Sequence, residues 1–302
     1  MFHTYSSWYN FAQEVISLNK IFKVSYGGWH ISCNVFGIRM KFHFMPKHID
    51  TINIISDPKA GIGNRIFGIV NILNYFTPRV LNLHWDTKNW VSCKLSDIFD
   101  IETSTIINEY DSTEFIKREE KIKKQLTIVG PSHILKNLHR KNLSFKYNEI
   151  EEIDIQHFSQ IFNKIKPTKI IQERIKNFGQ NFNYAVQVRN NSDWNNFGRN
   201  ESLENYFKEI DKIPSEEKIY LSAMNSEVAE IFKDKYGERI IELNNKNYSS
   251  MIDAVTDLYI LGNSKNAIYS YGSTFGELAF WLGGAKQKVT IVGSENNWKK
   301  CF

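Results

Sequence analysis

The sequence predicts an α/β protein built on open parallel sheets. Beyond residue 183, five short apolar stretches alternate with four helical ones, the pattern of a doubly wound sheet. A strand–helix–strand unit also occupies residues 51–85. With 302 residues, 42% hydrophobic and 14% aromatic, the chain can bury the core that two such layers need.

Taken in order, residues 8–20 read as a helix, and "IFKVSYGGWHISCNVFGIRMKFHF" as two strands around Gly27-Gly28. Residues 1–48 therefore look like a small helix-and-hairpin appendage. "TINIIS" (51–56) is a buried strand, 64–76 a helix stopped near Pro78, and "RVLNLHW" (79–85) the next strand. The signal weakens over 97–150, where "STEFIKREEKIKKQ" is a charged helix and "LTIVGP" a short strand. Helical stretches at 155–164 and 168–178 flank Pro167 and connect two halves, 49–178 and 179–302. The second half then runs regularly. Strands are expected at 183–189, 218–224, 239–243, 267–271 and 288–292, and helices at 201–213, 226–237, 249–263 and 273–284. Ser226 suits the start of the second of these helices and Gly237 its end.

Composition narrows the function. A net charge of +5 is too slight and too dispersed for nucleic-acid binding, though it suits a phosphate-bearing ligand. Three cysteines, Cys33, Cys93 and Cys301, form no Cys-x-x-Cys pair, and the eight histidines form no metal-binding motif. Neither a signal peptide nor a run of eighteen apolar residues is present, so a cytoplasmic enzyme is expected. The basic stretches 117–124 and 135–142 read as solvated surface; the second also suits peripheral contact with an anionic membrane near a lipid-linked acceptor.

Ligands of open α/β sheets bind beyond the carboxyl ends of the strands. There the second half places Gln187 and Arg189 after one strand, Ser222, Asn225 and Ser226 after another, and Tyr271, Gly272, Ser273 and Thr274 after a third. A Gly-Ser-Thr turn opening a helix offers unpaired N–H groups, hydroxyls and the positive helix end, which favour a phosphate; it is also an ordinary N-cap. Arg189 adds a planar cationic fork at the same edge, suited to a diphosphate, although pairing with a surface carboxylate is the plain alternative. Asp257 sits amid apolar residues of a helix, so it needs a partner: a nucleobase, or a capping or interdomain contact.

Four segments resemble the fucosyltransferase superfamily. "GIGNRIFGIVNIL" (61–73) resembles its Gly-x-Gly-Asn-Arg/Gln motif, and "VQVRNNSDW" (186–194) its His-x-Arg-x-x-Asp motif. "YLSAMNSEV" (220–228) is similar to its Thr-Asp-Ser strand end, and "DLYILGNSKNAIYSYGSTFGELAFWLGG" (257–284) to its Asp-…-Ser-x-Phe segment. The likeness includes the nodulation, core alpha-1,6 and bacterial alpha-1,2 fucosyltransferases and covers about residues 52–292. The opening hairpin region also resembles leaders on bacterial capsule and lipooligosaccharide glycosyltransferases.

The resemblance implies a GT-B-like α/β architecture, two Rossmann-like halves facing a cleft with the small hairpin appendage. It further implies an inverting transfer from a GDP-sugar to a glycan or lipid-linked glycan acceptor, with no metal or other cofactor. On that footing Arg189 grips the donor diphosphate, Asp257 contacts the base, and Ser273, Thr274 and Phe275 form the phosphate turn. Gly61, Gly63, Asn64 and Arg65 face the cleft from the first half. Gln187 stands where the family has histidine, Asn190 where a second arginine is common, and Asn225 where Thr-Asp-Ser has its aspartate. Asp193, one position late, is the candidate catalytic base.

The glycine loop is not a Rossmann fingerprint, which needs a third glycine where Ile66 stands, nor a P-loop. Asp86, ending the next strand, keeps an NAD-type oxidoreductase as an alternative. The departures at Gln187, Asn190 and Asn225 keep a second, a non-catalytic sugar-nucleotide-binding protein.

Overall fold

A computed structural model of the chain describes residues 22–27, 30–35, 38–43, 50–56, 60–88, 90–111, 126–129, 152–189 and 201–293. The expected helix at 8–20, the charged stretch at 112–125, the basic stretch at 135–142, and Asn190 and Asp193 lie outside these residues.

Strands β1 (Phe22–Gly27), β2 (His30–Val35) and β3 (Ile38–His43) form an antiparallel sheet in that order. The two-strand expectation is corrected to three. The sequence carries a further glycine, Gly37, between β2 and β3, which divides the second expected strand in two.

The first half is a parallel sheet of β4 (Thr51–Ile55), β5 (Val80–Trp85), β7 (Ile106–Asp111) and β8 (Leu126–Val129), ordered β7-β5-β4-β8. Helix α1 (Ile62–Phe76) makes the β4-to-β5 crossover and buries Ile62, Ile66, Ile69 and Val70 on one face. Two further strands, β6 (Phe99–Ile101) and β9 (Ile165–Pro167), pair antiparallel. Helices α2 (Glu152–Phe162) and α3 (Lys169–Phe178) lead into the second half.

The second half contains β10 (Tyr184–Val188), α4 (Leu203–Ile210), β11 (Ile219–Ala223), α5 (Ser226–Tyr236), β12 (Ile240–Ile241), α6 (Met251–Gly262), β13 (Asn266–Ser270), α7 (Thr274–Leu282) and β14 (Lys288–Val292). Its five strands are parallel in the order β12-β11-β10-β13-β14. Strand order reverses between β10 and β13, so a crevice opens there beyond their carboxyl ends. The first sheet has the corresponding reversal between β4 and β8. Gly237 ends α5 as expected, but the start is capped by Asn225, not Ser226: Asn225 Oδ1 accepts the Val228 N–H at 2.9 Å. Asn225 has the extended backbone of an N-cap, which leaves Ser226 as the first helical residue.

Alternation along β10 divides the core. Val186 and Val188 pack with Tyr206 and Phe232 beneath the sheet, while Ala185 faces the layer formed by α6 and α7. That upper layer continues into the first half, where Trp281 of α7 stacks on Phe162 of α2 with ring centroids 5.8 Å apart. Among the described residues no helix is long and apolar enough to cross a membrane.

Candidate functional site

The reversal between β10 and β13 brings the predicted diphosphate residues together. Arg189 directly follows β10 and is half-buried. Three residues beyond β13, Ser273 caps α7, its Oγ accepting the Gly276 N–H at 3.3 Å. Gly272 between them takes the left-handed backbone, φ 64°, that turns the chain into the helix. The Arg189 N–H donates to Ser270 Oγ at 3.0 Å, and the Ser273 N–H to the Ser270 carbonyl at 3.1 Å. One residue thus tethers both segments. Thr274 and Phe275, in the first turn of α7, are half-buried beside them.

On the face of β10 toward α6 and α7, Gln187 stands between Ser222 of β11 and Tyr269 of β13. It is buried, and its Oε1 has no hydrogen-bond partner among the described residues. Such an atom costs about 1–3 kcal/mol unless a ligand or water satisfies it.

Next to it lies Asp257 of α6, fully enclosed. Its Oδ1 accepts from Tyr220 at 2.5 Å, and its Oδ2 from Ser222 at 2.7 Å and from Lys246 Nζ at 2.8 Å. Burial pushes its carboxyl above the usual range, opposed by the Lys246 ammonium and by the hydroxyls of Tyr220 and Ser222. Lys246 is itself enclosed and lies 3.6 Å from Glu242, which also takes Lys233 at 2.6 Å and the Tyr248 hydroxyl at 3.0 Å. The interdomain contact considered for Asp257 belongs to Asp253 one turn earlier, paired at 2.6 Å with Arg174 of α3. Sequence reasoning missed Lys246, because nothing in "LNNKNYSS" marks a lysine that the fold will enclose. The amide of Asn225, a predicted donor contact, caps α5 as described above.

From the first half, the entrance of α1 meets that of α7. Gly61 is the N-cap of α1, with no side-chain cap of its own, and Asn64 in the first turn is half-buried. Gly63 lies so close to α7 that a Cβ there would overlap the Thr274 carbonyl. Arg65 is buried, its Nε donating to the Ala60 carbonyl at 2.9 Å and its Nη1 to the Asp86 carbonyl at 2.6 Å. Its guanidinium lies 5.0 Å over the Trp85 ring, which binds the glycine loop to the end of β5. The Asp86 carboxylate accepts the Lys88 N–H at 2.8 Å. The second glycine of the loop is therefore a packing requirement. Gly63→Ala is expected to force the two helix entrances apart, costing about 1–3 kcal/mol. Chemical denaturation with a lowered midpoint checks this, and an unchanged midpoint excludes the contact.

No known protein-family profile matches the chain, and no curated protein matches it. Solved structures similar to it include the fucosyltransferase NodZ from Bradyrhizobium, 14% identical over 75% of this chain and 92% of that one, with a TM-score of 0.45. A point mutant of Arabidopsis thaliana FUT1 in complex with GDP is 13% identical over 96% of this chain and 76% of its own, with a TM-score of 0.49. POFUT1 in complex with GDP-fucose is 12% identical over 83% and 99%, also at 0.49.

Proposed function

We propose that the protein is a glycosyltransferase that moves fucose or a related hexose from a GDP-sugar to a glycan or lipid-linked glycan. The observation that carries this reading is the meeting of Arg189 with the Ser273–Thr274 turn at the strand reversal, with the α1 entrance packed against that turn. Arg189, half-buried as a residue, leaves β10 beside the α7 N-terminus, and an arginine paired with a helix N-terminus is a combination that suits a diphosphate. Residues 179–302 hold the donor and 49–178 face the acceptor. The setting is cytoplasmic synthesis of a bacterial surface polysaccharide, with peripheral contact at the inner membrane.

The acceptor oxygen attacks the anomeric carbon as the bond from that carbon to the β-phosphate oxygen breaks, its electron pair leaving with GDP. The configuration inverts. The acceptor hydroxyl gives its proton to a base, for which Asp193 is the candidate. Negative charge grows on the β-phosphate, and Arg189 with the N–H groups of the turn stabilises it without a metal. Gln187 borders the base, its Oε1, unpartnered among the described residues, available to a donor on it, while Asp257 stands behind it, held by Tyr220, Ser222 and Lys246.

A thermal-shift panel of GDP, GDP-fucose, other GDP-hexoses, UDP-sugars and NAD tests the donor. At ~100-fold excess over Kd, a true ligand should add about 2.7 kcal/mol to stability. GDP and its sugars are expected to shift the transition, and transfer to proceed undiminished in EDTA. A shift by NAD or a UDP-sugar alone would overturn the assignment.

A further inference from the structure

Ser270, the last residue of β13, carries more contacts than a strand end needs. Its Oγ accepts the Arg189 N–H at 3.0 Å, donates to the Gln187 carbonyl at 3.2 Å, and lies 2.5 Å from the Tyr206 hydroxyl. A hydroxyl has one hydrogen and two lone pairs. With its hydrogen on Gln187 and one lone pair on Arg189, the other lone pair must accept the Tyr206 O–H. Every site on the Ser270 hydroxyl is filled in this assignment, and the Arg189 N–H also lies within hydrogen-bonding reach of the Tyr206 oxygen. Tyr206 is fully buried on α4, and burial pushes its phenol up to about 12, so it holds its proton as a donor at neutral pH.

The main chain makes the arrangement meaningful. Were the parallel ladder to continue one step past Gln187 and Tyr269, the Arg189 N–H would donate to the Ser270 carbonyl. It donates to the side chain instead, and the freed carbonyl accepts the Ser273 N–H that begins the turn into α7. Ser270 therefore fastens the Arg189 segment with its hydroxyl and the phosphate turn with its carbonyl. We infer that Ser270, braced by Tyr206 from the opposite face of the sheet, is the positioning residue that sets the spacing between Arg189 and the Ser273 turn. As a statement about catalysis this rests on the diphosphate reading above. The brace itself rests on contacts within the chain alone.

Two measurements separate the two. Guanosine and GDP affinities, by calorimetry, give the diphosphate contribution as their ratio; amide hydrogen exchange by NMR without ligand reports the tether. Ser270→Ala is expected to lower the affinity ratio about tenfold, the loss of roughly one charge-linked hydrogen bond, while guanosine affinity holds. Exchange at both Arg189 and Ser273 should quicken at least severalfold. Tyr206→Phe, which keeps the ring, should give a smaller change of the same kind, and Ser270→Thr should restore both. If Ser270→Ala does not fold, Tyr206→Phe decides. Guanosine and GDP weakened alike, or exchange unchanged at both amides, overturns the inference. Wild-type protein binding guanosine as tightly as GDP removes the diphosphate reading instead, and the exchange result then upholds or overturns the brace alone.

Discussion

Asp257→Ala is expected to cost about 3–5 kcal/mol of folding stability, because it strands a buried ammonium rather than because it removes a hydrogen bond. Lys246 lies 2.8 Å from the Asp257 carboxylate with only 6% of its side chain exposed, so water cannot replace the lost partner cheaply. The nearest remaining acid, Glu242, is 3.6 Å away and already shared with Lys233 and Tyr248. The hydroxyls of Tyr220 and Ser222 lose their acceptor as well. Asp257→Asn keeps the volume and an acceptor oxygen but no charge, and should fall between. Removing both members, as Asp257→Ala with Lys246→Met, should recover part of the loss, since an absent pair costs less than a broken one. Urea denaturation of the three variants checks the order. A double variant no more stable than Asp257→Ala would show that the two charges are not coupled, and the network would lose its claim to hold β11 and α6 together at the crevice.

That network shows where sequence reading stops. Asp257 was legible as an acid in need of a partner, because a carboxylate on an apolar helix face is costly alone. Its partners were not: Tyr220 and Ser222 come from a strand and Lys246 from a loop, brought together only by the tertiary fold. The strands of the second half were legible for the opposite reason. β10, β11 and β13 are covered on both faces and read as nearly unbroken apolar runs. β7, with the sequence "IINEYD" and Ile106 58% exposed, lies at the edge of its sheet and shows no such run. β6 and β9 have three residues each, too short for any period to register. In the glycine loop the turn could be read from Gly61 and Gly63, but not its purpose. The atom that excludes a side chain at Gly63 is the Thr274 carbonyl, supplied by the other half of the chain.

Arg189→Ala is expected to lower kcat for sugar transfer by ~10²–10³, equivalent to about 2.7–4 kcal/mol of lost transition-state stabilisation. The size follows from where charge appears. In the donor the diphosphate shares its negative charge with the sugar ester; as the anomeric bond breaks, the leaving oxygen acquires more. On the proposed reaction the Arg189 guanidinium at that oxygen binds the transition state more strongly than the ground state, so its loss should fall mainly on kcat, with KM for the acceptor unmoved. Arg189→Lys retains the charge but not the two-pronged geometry and should recover only part of the rate. The backbone of residue 189 is held through its N–H by Ser270, so neither substitution removes the tether, and the spacing to the Ser273 turn should survive both. This makes the kinetic result specific to the side chain. A variant that loses rate only through a raised donor KM would place Arg189 in uniform binding of the diphosphate, and one within threefold of wild type in both constants would leave the α7 entrance as the main stabiliser of the leaving group.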